Sequence, residues 1–503
     1  MNLRAMLITA ILLGIVGLSS AAAPSVPAAA VHMANGAIAG EVTTDTAIIW
    51  TRLTRHPERN VRGLPFPKVN PQDIPSVALD PRKTAYERNA LLVSLPVSEA
   101  AQLQGHALDE MEGAVPGAEG DVRVLYWRED QGSAAAIATP RASVSIANDG
   151  THSFQLSGLA PNARYHFRAE GYASGQAVPS CTYEGAFRTA PRPTDPTPLT
   201  FTVVTCQDYP RRDDPVNGHR IYPAMARLEP DFFVHTGDFE YLDKPTPLAT
   251  TVALARFKYN RIMALPFQRA FYSHVSSYFM KDDHDTLKDD AWPGQTYGDL
   301  TFAQGLALFR EHLPQSDPPY RTIRWGRDLQ IWLVEGRDFR SPNDAPDGPQ
   351  KSIWGVAQKR WFFETVDASD ATFRILISPT AVVGPDRDGK GDSHANQAFA
   401  HEGAELRQFL ASRRMFVING DRHWQYASVD PATGLHEYGT GPSSDIHASG
   451  YSDAERTPAH RYLRIRGGFI SVRIARVDGQ PRAIIRHHDV DGNVRFEQSE
   501  TAR

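Results

Sequence analysis

The chain has 503 residues, 41% of them hydrophobic, and a formal charge of −5 at neutral pH. That length accommodates two domains or one large one, and the composition supports ordinary globular cores. The mild acidity gives no basic footprint for nucleic acid or an anionic membrane surface, so no stable nucleic-acid complex is expected, although a nucleotide remains admissible as a small substrate.

Met1-Asn2-Leu3-Arg4 precedes an apolar run over residues 5–18 and then small residues through Ala23. A short basic start, an apolar core and a small-residue cleavage site describe a secretory signal. The run is shorter than the roughly 20 residues that cross a bilayer. Residues 1–30 therefore read as a signal peptide of the Sec type, because no arginine pair precedes the apolar core. The mature protein is expected in the periplasm or outside the cell, without a membrane span. Two cysteines follow, Cys181 and Cys206. In an oxidising compartment they could pair; the competing reading keeps Cys206 as a thiolate ligand and leaves Cys181 free.

Residues 31–54 carry β-type alternation. Between about 55 and 120 the pattern gives way to Pro, Asn, Asp, Ala and Gly, with one alternating piece at 91–95, which reads as an insertion or long loop. Strands return at 122–127, 142–146, 152–156 and 164–169, the last with clear period two. Short strands separated by turns predict a small fibronectin- or Ig-like β-sandwich over 31–192. The prolines of 191–198 form a stiff linker. From 199 strands alternate with helices. Ile221, Ala224, Met225 and Leu228 line one helical face, and the order strand, helix, strand predicts a right-handed βαβ unit. Residues 193–503 are thus expected to form an α/β domain with mixed sheets, with further helices at 358–366 and 401–412.

Four apolar runs end in chemistry. Residues 201–205 lead into Cys206-Gln207, and 232–235 into Thr236-Gly237-Asp238-Phe239-Glu240-Tyr241. Residues 277–280 lead into Lys281-Asp282-Asp283-His284-Asp285, and 416–418 into Asn419-Gly420-Asp421-Arg422-His423. Open sheets bind ligands beyond the carboxyl ends of their strands. Asp238, behind a glycine that lets the chain turn, can offer one oxygen to each of two cations. Tyr241 can return to the same side, and a phenolate requires a strongly polarising ion because free tyrosine titrates near pH 10. A Cys206 thiolate favours a transition metal. Carboxylates crowded at Asp282, Asp283 and Asp285 repel one another unless cations hold them, although each triplet alone could be a solvated turn. The neighbouring pair Asp289-Asp290 reads as solvated.

Taken in order, Thr205-Cys206-Gln207, Gly237-Asp238-Phe239-Glu240-Tyr241, Asp282-Asp283-His284-Asp285, Gly336-Arg337-Asp338-Phe339-Arg340 and Gly420-Asp421-Arg422-His423 resemble the PhoD-type alkaline phosphatases, within the calcineurin-like metallophosphoesterases. The resemblance implies a β-sandwich ahead of a catalytic αββα sandwich, and a ferric ion with calcium, other divalent metals being possible. It assigns Cys206, Asp238, Tyr241 and His423 to iron and Asp238, Asp283 and Asp421 to calcium, with Asp282 counted among the metal-site carboxylates. His284 would contact phosphate or protonate the leaving oxygen. Arg337 and Arg340 match an arginine pair that either recognises phosphate or forms salt bridges beneath the site. The chain departs from the family at Asp392-Ser393-His394-Ala395-Asn396, where Trp and Gly-Tyr are usual, and lacks a twin-arginine signal. Asp386-Arg387-Asp388-Gly389 hints at a calcium loop but lacks the terminal glutamate, so it reads as an acidic loop.

The function implied is a secreted metal-dependent phosphatase acting on small phosphate esters, monoesters or diesters, by attack of a metal-activated water at phosphorus. One alternative is a hydrolase like the purple acid phosphatases, which should carry Asp in place of Cys206 and Gly-Asn-His in place of 282–284. Another is a secreted calcium-stabilised binding protein with a Cys181–Cys206 disulfide.

Overall fold

The structure is a computed structural model that describes residues 30–67, 97–387 and 389–502. The signal segment up to residue 29 and the alternating piece at 91–95 lie outside the described residues. Among the described residues no helix is long and apolar enough to cross a membrane.

Two large sheets lie face to face. In the first, Leu199–Val204, Phe232–His235 and Ser276–Phe279 run parallel and adjacent. Phe469–Val477, Gln480–His488 and Val494–Thr501 extend it on one side, antiparallel. The second sheet centres on the parallel strands Leu329–Leu333, Phe373–Ser378, Phe416–Asn419 and His436–Thr440. Side chains alternate along a strand, so Leu199, Phe201 and Val203 point one way and meet Leu329, Ile331, Leu333, Ile375, Ile377 and Ile418 in a dry core between the sheets. The other faces are covered by helices. Val204, Phe233 and Phe279 pack under Ile221–Ala226, Val252–Met263, Pro266–Tyr272 and Phe302–His312. Trp332, Leu376 and Val417 pack under Gly355–Asp367 and Ala400–Ser412. The layer order is αββα, as expected.

The N-terminal strands form a small sandwich with its own core. Gly120–Arg128, Arg164–Tyr172 and Cys181–Arg188 make one sheet with two short strands. Ala37–Gly40, Thr46–Arg52 and Thr151–Ser157 make the other face, and Ile49, Leu53, Val122, Val124, Phe154 and Phe167 fill the space between. This second face is not separate from the catalytic sheet. Ala37–Gly40 lies parallel to Ser276–Phe279 and pairs with it at Gly40 and Ser277, giving one nine-stranded sheet across the linker. Arg321 reinforces the join by holding Glu41 in a two-pronged ion pair. Within the predicted insertion, Glu99–Leu103 is a short helix whose Gln102 side chain bonds Leu248 from both ends of its amide.

Candidate metal centre

The three strands that carry Cys206, Asp238 and Asp421 end at Val204, His235 and Asn419. Just beyond each end the chain turns into the left-handed region, with φ +51° at Cys206, +53° at Asp238 and +66° at Asp421. Such conformations are costly for residues with a Cβ and persist where the surroundings enforce them, commonly at functional sites. Here the enforcement is visible. Thr205 Oγ1 donates to the carbonyl of Gly237 at 3.2 Å and accepts from the Asp421 amide at 3.1 Å. Two glycines allow the close approach. A Cβ on Gly237 would lie 2.7 Å from that of Asp282, and one on Gly420 would lie 2.3 Å from Thr236 Oγ1 and 2.6 Å from Thr205 Oγ1.

These turns bring a thiol, a carboxylate, a phenol and an imidazole together. Cys206 Sγ lies 3.3 Å from Asp238 Oδ2. The Tyr241 hydroxyl lies 2.9 Å from the same oxygen and 3.0 Å from His423 Nε2. Burial, reinforced by the Asp238 charge, pushes the Cys206 thiol and the Tyr241 phenol well above their usual ranges. Burial and the charges of Asp283 and Asp282 raise Asp238 likewise, against the pull of His284. Burial pushes His423 far down, helped by the charges of Arg387 and Arg211. Anionic donors crowded in a dry site hold their protons until a cation balances them. Asp238 Oδ1 and Asp283 Oδ1 are buried with no hydrogen-bond partner. Ligand atoms of Cys206, Asp238 and His423, and again of Asp238, Asp283 and His284, lie within 4.8 Å of one another. The donor set fits one cation that accepts sulfur, phenolate and imidazole, beside a second, oxygen-lined position.

His284 lies in the short helix Asp283–Thr286. Its Nδ1 donates to Asp243 Oδ1 at 2.6 Å. Burial opposes the charged imidazole, yet Asp243, Asp283 and Asp238 together push its pKa up to about 10. Arg337 holds Asp283 down to about 2 despite burial. Burial raises Asp421 to about 6, with its carboxylate paired to Arg422.

The structure changes two of the assignments expected from the motifs. Asp282, expected among the metal ligands, gives Oδ1 to Arg337 Nε at 2.5 Å and caps the helix that bears Asp283 and His284. Arg337, expected to clamp phosphate, is fully buried and directs its guanidinium at Asp282 and Asp283; a guanidinium removed from water needs carboxylate partners, and the salt-bridge alternative describes its place. Arg340 likewise bonds Asn343 and the Asp392 carbonyl. Cys181 and Cys206 are both free thiols, with no disulfide between them. Asp386, expected in an acidic loop, is fixed by Arg422 Nη2 at 2.5 Å and Asn396 at 2.9 Å. Asp290, expected to be solvated, is part-buried, donates its amide to Asp283 Oδ2, and is raised to about 6 by burial.

Two residues of the site do not stand out in the sequence. Asp243, two positions beyond Tyr241 on the same turn, orients His284. His447, in a single 3-10 turn (Asp445–His447) with no periodicity to mark it, donates Nδ1 to the Cys206 carbonyl at 3.1 Å, and its ring lies 4.3 Å from the His423 ring, tilted, and 5.0 Å from that of Tyr241, edge-on. Proximity to Tyr241 is the available signal for the first; none exists for the second.

Residues 201–443 match the PhoD-like phosphatase family, and residues 19–191 match the N-terminal domain of PhoD-like phosphatases. The chain is 23% identical over 265 residues to alkaline phosphatase D of Bacillus subtilis (strain 168), a match that spans 44% of this chain and 43% of that relative. A solved structure of PhoD superposes with a TM-score of 0.67 at 16% identity, covering 95% of this chain and 90% of the other. A purple acid phosphatase from yellow lupin (Lupinus luteus) seeds superposes with a TM-score of 0.60 at 11% identity, covering 92% and 74%. At these identities the two structural likenesses speak to the fold.

Proposed function

The chain belongs to the PhoD-like phosphatase family, and from that premise we propose that it is a metal-dependent hydrolase of small phosphate esters. The observation that carries this reading is the convergence of Cys206, Asp238, Tyr241 and His423 beside two buried carboxylate oxygens, Asp238 Oδ1 and Asp283 Oδ1, that have no hydrogen-bond partner.

Cys206, Asp238, Tyr241 and His423 would hold a ferric ion, because thiolate and phenolate suit a polarising transition metal. Asp238, Asp283 and Asp421 would hold calcium through oxygen. Ions held there would supply Lewis-acid polarisation of a phosphate ester and of a water nucleophile. The chain's own part is positioning and proton transfer. Asp243 fixes His284 with Nδ1 protonated, and Nε2, 3.6 Å from Asp289 Oδ1, would be the atom that meets the leaving group. Against burial, the Asp243 carboxylate favours the charged imidazole, so His284 would donate the Nε2 proton to the leaving oxygen as the P–O bond breaks. Ligand burial keeps bulk water from competing with the positioned one. Arg337 acts indirectly, by fixing Asp282 and Asp283.

The purple-acid alternative calls for Asp where Cys206 stands and Gly-Asn-His where Asp282-Asp283-His284 stands. The binding-module alternative calls for a Cys181–Cys206 disulfide, and both thiols are free. Export through residues 1–30 belongs to the same proposal. The test is elemental analysis with thiol counting on protein from an oxidising compartment, followed by assays with p-nitrophenyl phosphate and bis-p-nitrophenyl phosphate. Iron with calcium, free thiols and turnover of at least one ester support the reading. Metal-replete protein that turns over neither ester would overturn it.

A further inference from the structure

His447 contacts three of the four residues that gather on the sulfur side of the metal centre. Its Nδ1 lies 3.1 Å from the Cys206 carbonyl, and its ring centre lies 4.3 Å from that of His423 and 5.0 Å from that of Tyr241. The imidazole is buried, and its Nε2 has no hydrogen-bond partner. A ring nitrogen that faces a carbonyl oxygen carries the proton, so His447 donates to Cys206 and leaves Nε2 bare. Burying an unpaired nitrogen is unfavourable. An apolar ring would fill the same space without that penalty, so the bond to the Cys206 carbonyl is what the imidazole adds.

Cys206 needs such a partner. Its backbone sits at φ +51°, a conformation that persists in a residue with a Cβ only when the surroundings enforce it. A thiol is a weak hydrogen-bonding group, so the main chain has to aim Sγ. The Cys206 amide donates to the Gly237 carbonyl at 3.2 Å, and the Cys206 carbonyl accepts from the Ser443 amide at 3.2 Å as well as from His447. Those two donors occupy both lone pairs of one oxygen. Ser443 Oγ also donates to the Thr205 carbonyl at 2.8 Å, and the Ser449 amide donates to the His423 carbonyl at 3.2 Å. Residues 443–449 thus grip the chain at Thr205, Cys206 and His423. The oxygen-lined position is fixed by other groups: Arg337 stands 3.5 Å from Asp283, and Arg422 pairs with Asp421.

Resting on the metal-dependent reading of the centre, we propose that His447 is a positioning residue that aims the Cys206 thiolate. It governs affinity for a thiolate-bound transition metal and leaves the oxygen-lined position unaffected. The side chain acts through the Cys206 backbone, with its Nδ1 proton kept in place by the carbonyl.

The test is metal binding by the full-length chain, freed of metal by chelation and titrated with cobalt(II), whose sulfur-to-metal charge-transfer absorption reports the thiolate. Two substitutions separate the bond from the packing. H447N keeps an N–H near the position of Nδ1 and loses the ring; H447F keeps a ring and loses the donor. H447F is expected to weaken cobalt binding by about 10- to 100-fold, the usual effect of removing a partner that orients a ligand, and to shift the charge-transfer band. Calcium per chain, measured by elemental analysis after reloading, should not change. H447N should recover most of the affinity. Wild-type affinity and band in H447F, or weaker binding by H447N than by H447F, would overturn the proposal, since packing alone predicts the second order. A matching loss of calcium would overturn it too. Should H447F fail to fold, H447A takes its place, and H447N must bind cobalt more tightly than H447A for the proposal to stand. A wild type without a sulfur-to-cobalt band would overturn the metal reading of Cys206 and this proposal with it, whereas the variant outcomes overturn this proposal alone.

Discussion

Asp243 Oδ1 stands 2.6 Å from Nδ1 of His284, and its other oxygen accepts the Asp289 amide at 2.9 Å. Both side chains are buried, so the carboxylate cannot rotate away and the imidazole has one orientation. A histidine buried alone is neutral; this one is kept charged by its neighbours. In the proposed mechanism this pair handles the proton, and its two members come from turns that follow different strands.

Replacing Asp243 with Asn keeps the shape and removes the charge. kcat for p-nitrophenyl phosphate should fall by about 10- to 100-fold, the usual effect of removing the partner that orients a functional group. Metal content should be retained. Steady-state kinetics with elemental analysis decide the matter, and an unchanged kcat would remove Asp243 and His284 from the mechanism.

Asp238 offers oxygens to two groups of donors at once. Asp238→Asn should therefore cost bound metal and activity together, with turnover reduced by about 1,000-fold or more, as expected when a group holding the catalytic charges is lost. Protein that keeps both metals and full activity would falsify the assignment.

Gly420→Ala places a Cβ 2.3 Å from Thr236 Oγ1 and 2.9 Å from the Pro379 carbonyl. Overpacking of this kind costs about 2 kcal/mol, and the displaced turn carries Asp421 and His423. Thermal denaturation should show a lower Tm. Activity should fall further than stability implies, because a shift of about 1 Å in a reacting geometry costs about 100-fold. Equal Tm and equal kcat would show that the turn tolerates the methyl group.

Glu402 accepts from the Ile353 amide at 2.6 Å and from His394 Nε2 at 3.0 Å. Burial opposes its charge, but these bonds and the His394 charge bring its pKa down to about 2 from 4.5. A carboxylate lowered on folding stabilises the native state fully above its unfolded value. That contribution is lost as pH falls from about 4.5 through about 2. At 1.36 kcal/mol per unit it is worth about 3 kcal/mol. Glu402→Gln should lower stability near pH 7 by an amount of that order and flatten the acid limb of the stability curve between pH 4.5 and 2. Urea melts across that range provide the check; parallel curves for the two proteins would refute it.

The α/β character of the chain from 199 onward is legible in the sequence because strands alternate with helices and because Cys206, Asp238 and Asp421 each follow an apolar run, whereas the αββα layering comes from the family resemblance. The helix Val252–Met263 is not legible, since it buries Lys258, Asn260 and Arg261 and so interrupts the apolar stripe that marks a helix. Lys258 fits there because it bonds the Lys244 carbonyl at 2.8 Å and lies 3.6 Å from Glu240, partners distant enough in sequence to be invisible from local pattern. The same holds for Arg337. Its motif matches a phosphate-binding pair, but only the fold shows that Asp282 and Asp283 claim it first. His447 lies beyond reach for a different reason: its role depends on a backbone carbonyl, which leaves no trace in residue type.

The pairing of Gly40 with Ser277 has a consequence for how the two halves of the chain could be separated. Ser276–Phe279 leads directly into the acidic turn of Asp282, Asp283 and His284, and its outer side is covered by Ala37–Gly40. Without the N-terminal sandwich, that strand would present bare amides and carbonyls to solvent, an adhesive edge that invites strand-by-strand association with other copies. The sandwich therefore carries the free edge of the sheet away from the strand that leads into the acidic turn and out to Thr151–Ser157.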